Sequence, residues 1–185
     1  MVRLGEEYYY LLHPRPAYII GAGKVGEEVN LMAASWVTPV SEEPPRAAVA
    51  IGSQSFTARL ITKYEEFTIN VYPVDKIDII YTVGVTSGRR IDKVKALNLR
   101  VAKGRSVNAP ILDDAVGVIE RKLWRSVECG EVDLFIGEVV EAYAKYEYFR
   151  GNSWDLKKIS IPLHGWGRGF YAVGNFRLAK NLLRS

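Results

Sequence analysis

The chain has 185 residues, 48% of them hydrophobic, which fits one domain with a substantial core. Its formal charge is only +4, and its basic residues are scattered among acids, which points to a solvated surface and away from nucleic acid. A single cysteine, Cys129, excludes an intrachain disulfide, and no apolar run reaches the ~20 residues of a membrane helix. The segment MVRLGEEYYYLLHPRP lacks the apolar core and cleavage site of a secretory signal, so the expectation is a soluble, cytoplasmic protein.

In chain order, Glu6 to Leu12 is aromatic and reads as a turn or short helix. His13-Pro14-Arg15-Pro16 is a stiff extended lead-in. His13 has no acid beside it to orient it and reads as a turn residue. Ala17 to Ile20 is a strand. Gly21-Ala22-Gly23-Lys24-Val25-Gly26 then matches the glycine pattern of dinucleotide-binding proteins. That pattern needs a long amphipathic helix after it. Glu27-Glu28-Val29-Asn30 and a run of small residues follow instead, so Gly21 to Glu28 reads as a glycine-rich hairpin loop.

Asn30 to Leu60 is the informative stretch. Small and hydroxyl residues surround one tryptophan: Ala33, Ala34, Ser35, Trp36, Thr38 and Ser41. Pro44-Pro45 forces an extended turn, Ala47 to Ile51 is a strand, and Gly52-Ser53-Gln54-Ser55 is a polar turn. A helix then runs from Thr57 to Tyr64. Small residues allow a ligand close to the backbone, and hydroxyls with free helix-start amides suit an anion. This is the floor expected for a flat, phosphorylated cofactor.

Phe67 to Val71 reads as a strand, with Asn70 as a structural side chain. Asp75 is placed to cap a helix through Tyr81, with Ile77, Ile80 and Tyr81 as its apolar stripe. Leu99 to Ala102 and Ala115 to Val127 read as strands. In the second, Ile119, Leu123 and Val127 interleave with Arg121 and Arg125. Cys129-Gly130-Glu131 turns the chain into a further strand, Asp133 to Ala142. Trp124 reads as core or dimer surface. Ile159 to Gly174 is rich in glycine and aromatics, so loops and short strands are expected. There His164 and Trp166 either line a nicotinamide site or belong to a packed flap.

The pattern N-x-x-x-x-S-W-x-T-P-V-S-x-x-P-P, followed by a strand and Thr57-Ala58-Arg59-Leu60-Ile61, resembles the flavin reductase-like family. Other segments agree: Arg15-Pro16, the F-x-x-N-V strand at Phe67, Ala109-Pro110, and the LFIGEV run at Leu134. Thr86 to Lys93 resembles the family's S-G-R-D-x-D-K segment, with Arg90 in place of the usual acid. The resemblance implies a mainly β fold with short helices, an FMN-binding split β-barrel. The barrel core would span about 15–143 and a C-terminal flap 144–185, within one domain of 1–185.

The resemblance implies FMN as cofactor and NADH or NADPH as co-substrate, with hydride passing from the nicotinamide to the flavin. That step needs orientation and exclusion of water but no general base, so no catalytic residue and no metal ligand is assigned. Expected cofactor contacts are Asn30, Ser35, Trp36, Val37, Thr38, Ser53, Gln54, Ser55, Thr57 and Lys93, with Arg89 a weaker candidate. Expected partners are a second copy in a homodimer and an electron acceptor, whether free flavin, ferric iron or a partner oxygenase. A flavin-binding electron carrier that does not oxidise NAD(P)H remains open as the alternative.

Overall fold

The computed structural model describes residues 3–174. Seven strands form one antiparallel sheet: β1 (Tyr18–Gly23), β2 (Val29–Ala34), β3 (Val37–Ser41), β4 (Arg46–Gly52), β5 (Glu66–Val71), β6 (Gly117–Cys129) and β7 (Val132–Ala144). Their order is β2-β1-β5-β6-β7-β4-β3. The two edge strands, β2 and β3, are separated in sequence only by Ser35 and Trp36. The sheet therefore curls until the Trp36 carbonyl accepts a 3.0 Å hydrogen bond from the Ala50 amide of β4. The barrel stays split, because β2 pairs with β1 alone among the described residues and its other edge carries no strand.

Alternation along β1 feeds two cores. Ile20 and Ala22 point into the barrel with Val49, Phe67, Ile69 and Phe135. Helix α1 (Phe56–Tyr64) plugs one end with Leu60 and Ile61, both fully buried. Ile19 points the other way and meets Leu31, Tyr72, Leu112 and Val118 under helix α2 (Ile77–Val85). Each such side chain contributes about 1.5–3 kcal/mol by leaving water. Helix α1 starts where the Ser55 hydroxyl accepts the Ala58 amide at 3.0 Å, and it ends at Glu65, whose φ is 56°.

Several expectations change. Strand β1 continues through Gly23, because Gly21 pairs with Leu31 and Thr68, and Gly23 pairs with Val29. The loop is thus Lys24 to Glu28, and Val29 opens a strand where a dinucleotide fold would place a helix. Gly23 has φ 108°, and a Cβ there would lie 2.1 Å from the Glu28 carbonyl. The Glu28 carboxylate accepts from Arg59 at 2.7 Å and Lys63 at 2.6 Å, which ties the loop to α1. These donors, Lys63 first, hold the Glu28 carboxyl down to about 2. Asp75 caps nothing: it lies in a 3-10 turn, Val74–Lys76, and α2 runs on to Val85 because Val83 is still buried in the second core. The strand expected at Leu99 shrinks to Val101–Lys103, paired with Pro110–Leu112.

Strand β6 departs most from its sequence reading. Side chains repeat every two residues, so Arg121 shares the inward face of Ile119 and Leu123 rather than alternating with them. Its guanidinium is fully buried over the Phe67 ring and donates to the Gly137 carbonyl at 3.3 Å. Burial pushes that guanidinium down to about 9. On the other face, Glu120 is also fully buried. Its carboxylate accepts the amides of Arg105, Ser106 and Val107 at 2.7, 2.6 and 3.2 Å and the Tyr143 hydroxyl at 2.9 Å, fastening that loop to the barrel. Asn70 has the structural role expected, donating to the Ile19 carbonyl and accepting the Leu112 amide. Trp124 is not core: it is exposed, with Arg46 stacked 3.8 Å from its ring centre.

Candidate functional site

The open edge of β2 is bounded by polar groups at both ends. Asn30 at its start is buried and donates through Nδ2 to the Thr57 hydroxyl at 2.8 Å. That bond uses the hydroxyl oxygen as acceptor, and among the described residues its proton has no acceptor. The loop from Thr86 to Asp92 lies over this pair. It reaches that close because residue 88 is glycine: a Cβ there would sit 2.1 Å from Asn30 Oδ1. Arg89 donates to the Gln54 carbonyl at 3.1 Å, which closes the loop onto the turn before α1. The first amides of α1 open at the same place, and helix-start amides carry partial positive charge.

Not every expected side chain is free for a ligand here. The Ser55 hydroxyl oxygen is engaged as the α1 cap. The Ser53 hydroxyl donates to the Glu131 carbonyl at 3.2 Å, toward the β6–β7 turn. Lys93 is buried, and its ammonium donates to the Val83 and Thr86 carbonyls at 2.9 and 3.0 Å. It closes the C-terminal end of α2 and has one further N–H to offer. Burial alone pushes the ammonium down to about 8.

The other end of the edge is Ser35 to Thr38. Five residue steps separate Asn30 from Ser35, about 17 Å at ~3.4 Å per residue. Trp36 is half-buried, with the Arg15 guanidinium 5.3 Å and the Tyr9 ring 6.1 Å from its own ring. Val37 packs on the barrel core, while Thr38 is exposed and donates to the Pro39 carbonyl. Beside Ser35 lies a cavity of about 190 Å³ between β2, α2 and the ribbon Leu163–Trp166 with Gly169–Tyr171. That ribbon is anchored by pairing with Arg15–Pro16. Its His164 Nδ1 lies 3.4 Å from Ser35 Oγ.

Apart from Ser53, Ser55 and Lys93, the expected residues fall into two groups. Asn30, Gln54 and Thr57 meet at one end, and Ser35, Trp36, Val37 and Thr38 form the other. Sequence reasoning missed Tyr81, Gly84 and Phe170, which line the cavity. Gly84 was the available signal: a glycine near the end of an apolar helix marks a close approach, and its missing Cβ would lie 3.0 Å from Ala33 Cβ. Among the described residues no cluster of His, Cys, Asp and Glu suits a metal, and no helix is long and apolar enough to cross a membrane.

A flavin mononucleotide is a phosphate, a five-carbon chain and a flat ring system. An open strand edge fits that shape, with hydroxyl and amide donors at one end and small residues at the other. The fold is a split β-barrel, mainly β with short helices. The chain belongs to the flavin reductase like domain family, whose match spans residues 10–172. An uncharacterised protein of Pyrococcus abyssi (strain GE5 / Orsay) is 34% identical over 151 residues, 82% of this chain and 86% of that one. Flavoredoxin of Desulfovibrio vulgaris (Miyazaki F) has a TM-score of 0.80 at 29% identity, covering 93% of each chain. An FMN-binding protein from Thermus thermophilus, solved with bound 1-cyclohex-2-enone, has a TM-score of 0.82 at 25% identity, covering 97% of this chain and 98% of that one.

Proposed function

We propose that the chain binds FMN along the open edge of β2 and serves as an NAD(P)H-dependent flavin oxidoreductase. The observation that carries this is the buried Asn30–Thr57 pair at one end of a strand with one open edge, whose other end is built from small residues. In this reading Thr57, the α1 amides and the remaining N–H of Lys93 hold the phosphate. Backbone and side chains of Ser35 to Thr38 lie along the ring, and the hydroxyls of Ser53 and Ser55 support the turn through their bonds to backbone. The FMN supplies hydride acceptance and electron transfer. The chain's own residues orient the reactants and keep water from the cavity; none is assigned proton transfer.

The experiment is direct. The purified protein should be yellow, and its visible flavin bands should bleach anaerobically on adding NADH or NADPH. A colourless protein that takes up no added FMN would refute the reading. Bound FMN that no nicotinamide cofactor bleaches would favour the alternative, an electron carrier, which the likeness to a flavoredoxin supports. The electrons then pass to free flavin, ferric iron or a partner oxygenase.

The domain reading, 1–185 as one unit, and a cytoplasmic location are kept within this proposal; residues 175–185 of the expected flap lie outside the described residues. A homodimer is part of it too, because an open edge carrying a cofactor needs cover. Light scattering should give twice the chain mass, and a flavin-loaded monomer would count against it.

A further inference from the structure

The barrel has a second mouth, away from the end that α1 plugs. Strand β5 begins at Glu66, directly after α1, and ends at Val71. At that far end Val71 pairs with Gly117, the start of β6, and Gly117 pairs with Ala144, the end of β7. A period of two puts Tyr18 and Val71 on the inward faces of β1 and β5, below Ile20 and Ile69. After β7 the chain crosses this mouth as a strap. It forms a small ribbon, Phe149–Arg150 with Ser153–Trp154, and returns to β1, where the Pro162 carbonyl accepts the Ala17 amide at 3.0 Å. Gly117 lets the strap come close: a Cβ there would lie 3.0 Å from Cη2 of Trp154. The Phe149 ring meets the Trp154 ring edge-on at 5.1 Å.

Between strap and mouth lies a cavity of about 440 Å³, within the ~300–1,000 Å³ of sites that take a small ligand. Tyr18, Ile119, Phe149, Trp154 and Ile161 line it, and the exposed Ala142 and Ala144 leave it open on one side. Among the described residues its wall holds no charged side chain. The Tyr143 hydroxyl there already donates to Glu120. The Tyr18 hydroxyl is uncommitted. Burial alone pushes it up from the ordinary tyrosine value, with no hydrogen bond or charge among the described residues contributing. It stays protonated and has that proton to donate. Alternation along the chain separates this cavity from the one beside Ser35, because Ala17 lines that one and Tyr18 lines this one.

We propose that this mouth is a second small-molecule site, built for an uncharged, flat aromatic compound with one carbonyl, whose oxygen accepts from the Tyr18 hydroxyl. The proposal does not rest on the flavin reading. The rings of Tyr18, Phe149 and Trp154 favour an aromatic guest. A charged guest would leave its charge unpaired against an apolar wall.

The probes are 2-acetylnaphthalene, naphthalene and 2-naphthoate, one ring system carrying a ketone, nothing polar, or a charge. Each is titrated into the full-length protein as purified, and binding is followed by the NMR signals of the Gly117 amide and the Trp154 indole. The ketone should bind, and the carboxylate at least tenfold more weakly. Tyr18→Phe keeps the ring and removes the donor. It should weaken the ketone about three- to tenfold, the scale of one hydrogen bond, and leave naphthalene unchanged. Ala144→Trp fills the open side from an exposed position. It should abolish binding of both neutral probes and leave the mass by light scattering unchanged. No ketone binding, equal binding of the carboxylate, or a Tyr18→Phe loss shared by naphthalene would each overturn the proposal. So would undiminished binding in Ala144→Trp, or a fall in its mass, which would mean that a second copy of the chain covers the mouth. If Ala144→Trp fails to fold, the Tyr18→Phe and carboxylate comparisons still decide.

Discussion

Replacing Thr57 with alanine tests the site at its most buried point. The sequence alone suggested that Thr57 either starts a helix, at a few tenths to about 1 kcal/mol, or holds a phosphate. The structure changes the first estimate. Ser55 is the cap, and the Thr57 hydroxyl is the acceptor for Asn30 Nδ2 in a site where Thr57 is 1% and Asn30 5% exposed. Alanine therefore strands a buried amide donor, for about 1–3 kcal/mol. In a chain of this size each kcal/mol lowers Tm by roughly 2–4 °C. The ligand effect is separate. A lost bond to a charged phosphate is worth about 1.5–3 kcal/mol, so FMN should weaken at least tenfold. Riboflavin lacks the phosphate and should bind the variant and the wild type alike. The assay is fluorescence quenching of both flavins on the same folded preparations, with Tm measured alongside. If Thr57→Ala weakens FMN and riboflavin equally, the phosphate has been placed wrongly, whatever happens to Tm.

Arg121→Met should be neutral or stabilising by about 1–4 kcal/mol in urea unfolding, because Nε and Nη1 of this fully buried guanidinium have no partner among the described residues; a loss of 3 kcal/mol or so would mean the charge is compensated. Lys93 makes a pH prediction. Its folded value is about 8 against an ordinary 10.5, so between those values the unfolded chain holds a proton that the folded chain has released, and stability rises with pH. Below 8 both states are protonated and the penalty is constant. Denaturation midpoints across that window should climb more steeply for wild type than for Lys93→Met, and parallel curves would sink the assignment. Gly26→Ala should cost about 1 kcal/mol, since Gly26 has φ 94° with open space around it, and should leave nicotinamide-cofactor affinity unchanged. A large loss of that affinity in the folded variant would return a phosphate to this loop. Gly23 does not suit the same test, because its missing Cβ would overlap the Glu28 carbonyl.

Local chemistry was legible in the sequence wherever it acts over a few residues. The Ala47 strand, the helix after Ser55, the Phe67 strand, the Gly130 turn and the return strand at Leu134 all follow from periodicity and turn residues, and each stands within a few positions of its expected place. The glycine pattern at Gly21 was also decidable locally, because no helix could follow it. Long-range partners were not legible. Nothing near Thr57 in sequence announces Asn30, 27 residues away, or announces that Lys93 will spend two donors on the end of α2. Arg121 is the clearest case. The sequence reading interleaved it with Ile119 and Leu123, whereas a period of two puts all three on one face, which buries a charge at a cost that local sequence does not announce. The close approach at Gly137 and the Phe67 ring made room for it. The cavity beside Ser35 is likewise a tertiary product. It needs α2, β2 and a ribbon some 130 residues further on to meet, and only the curl that leaves one edge of β2 open brings them together. Strand and helix choices depend on neighbours along the chain, whereas a site depends on which edges the folded sheet leaves open.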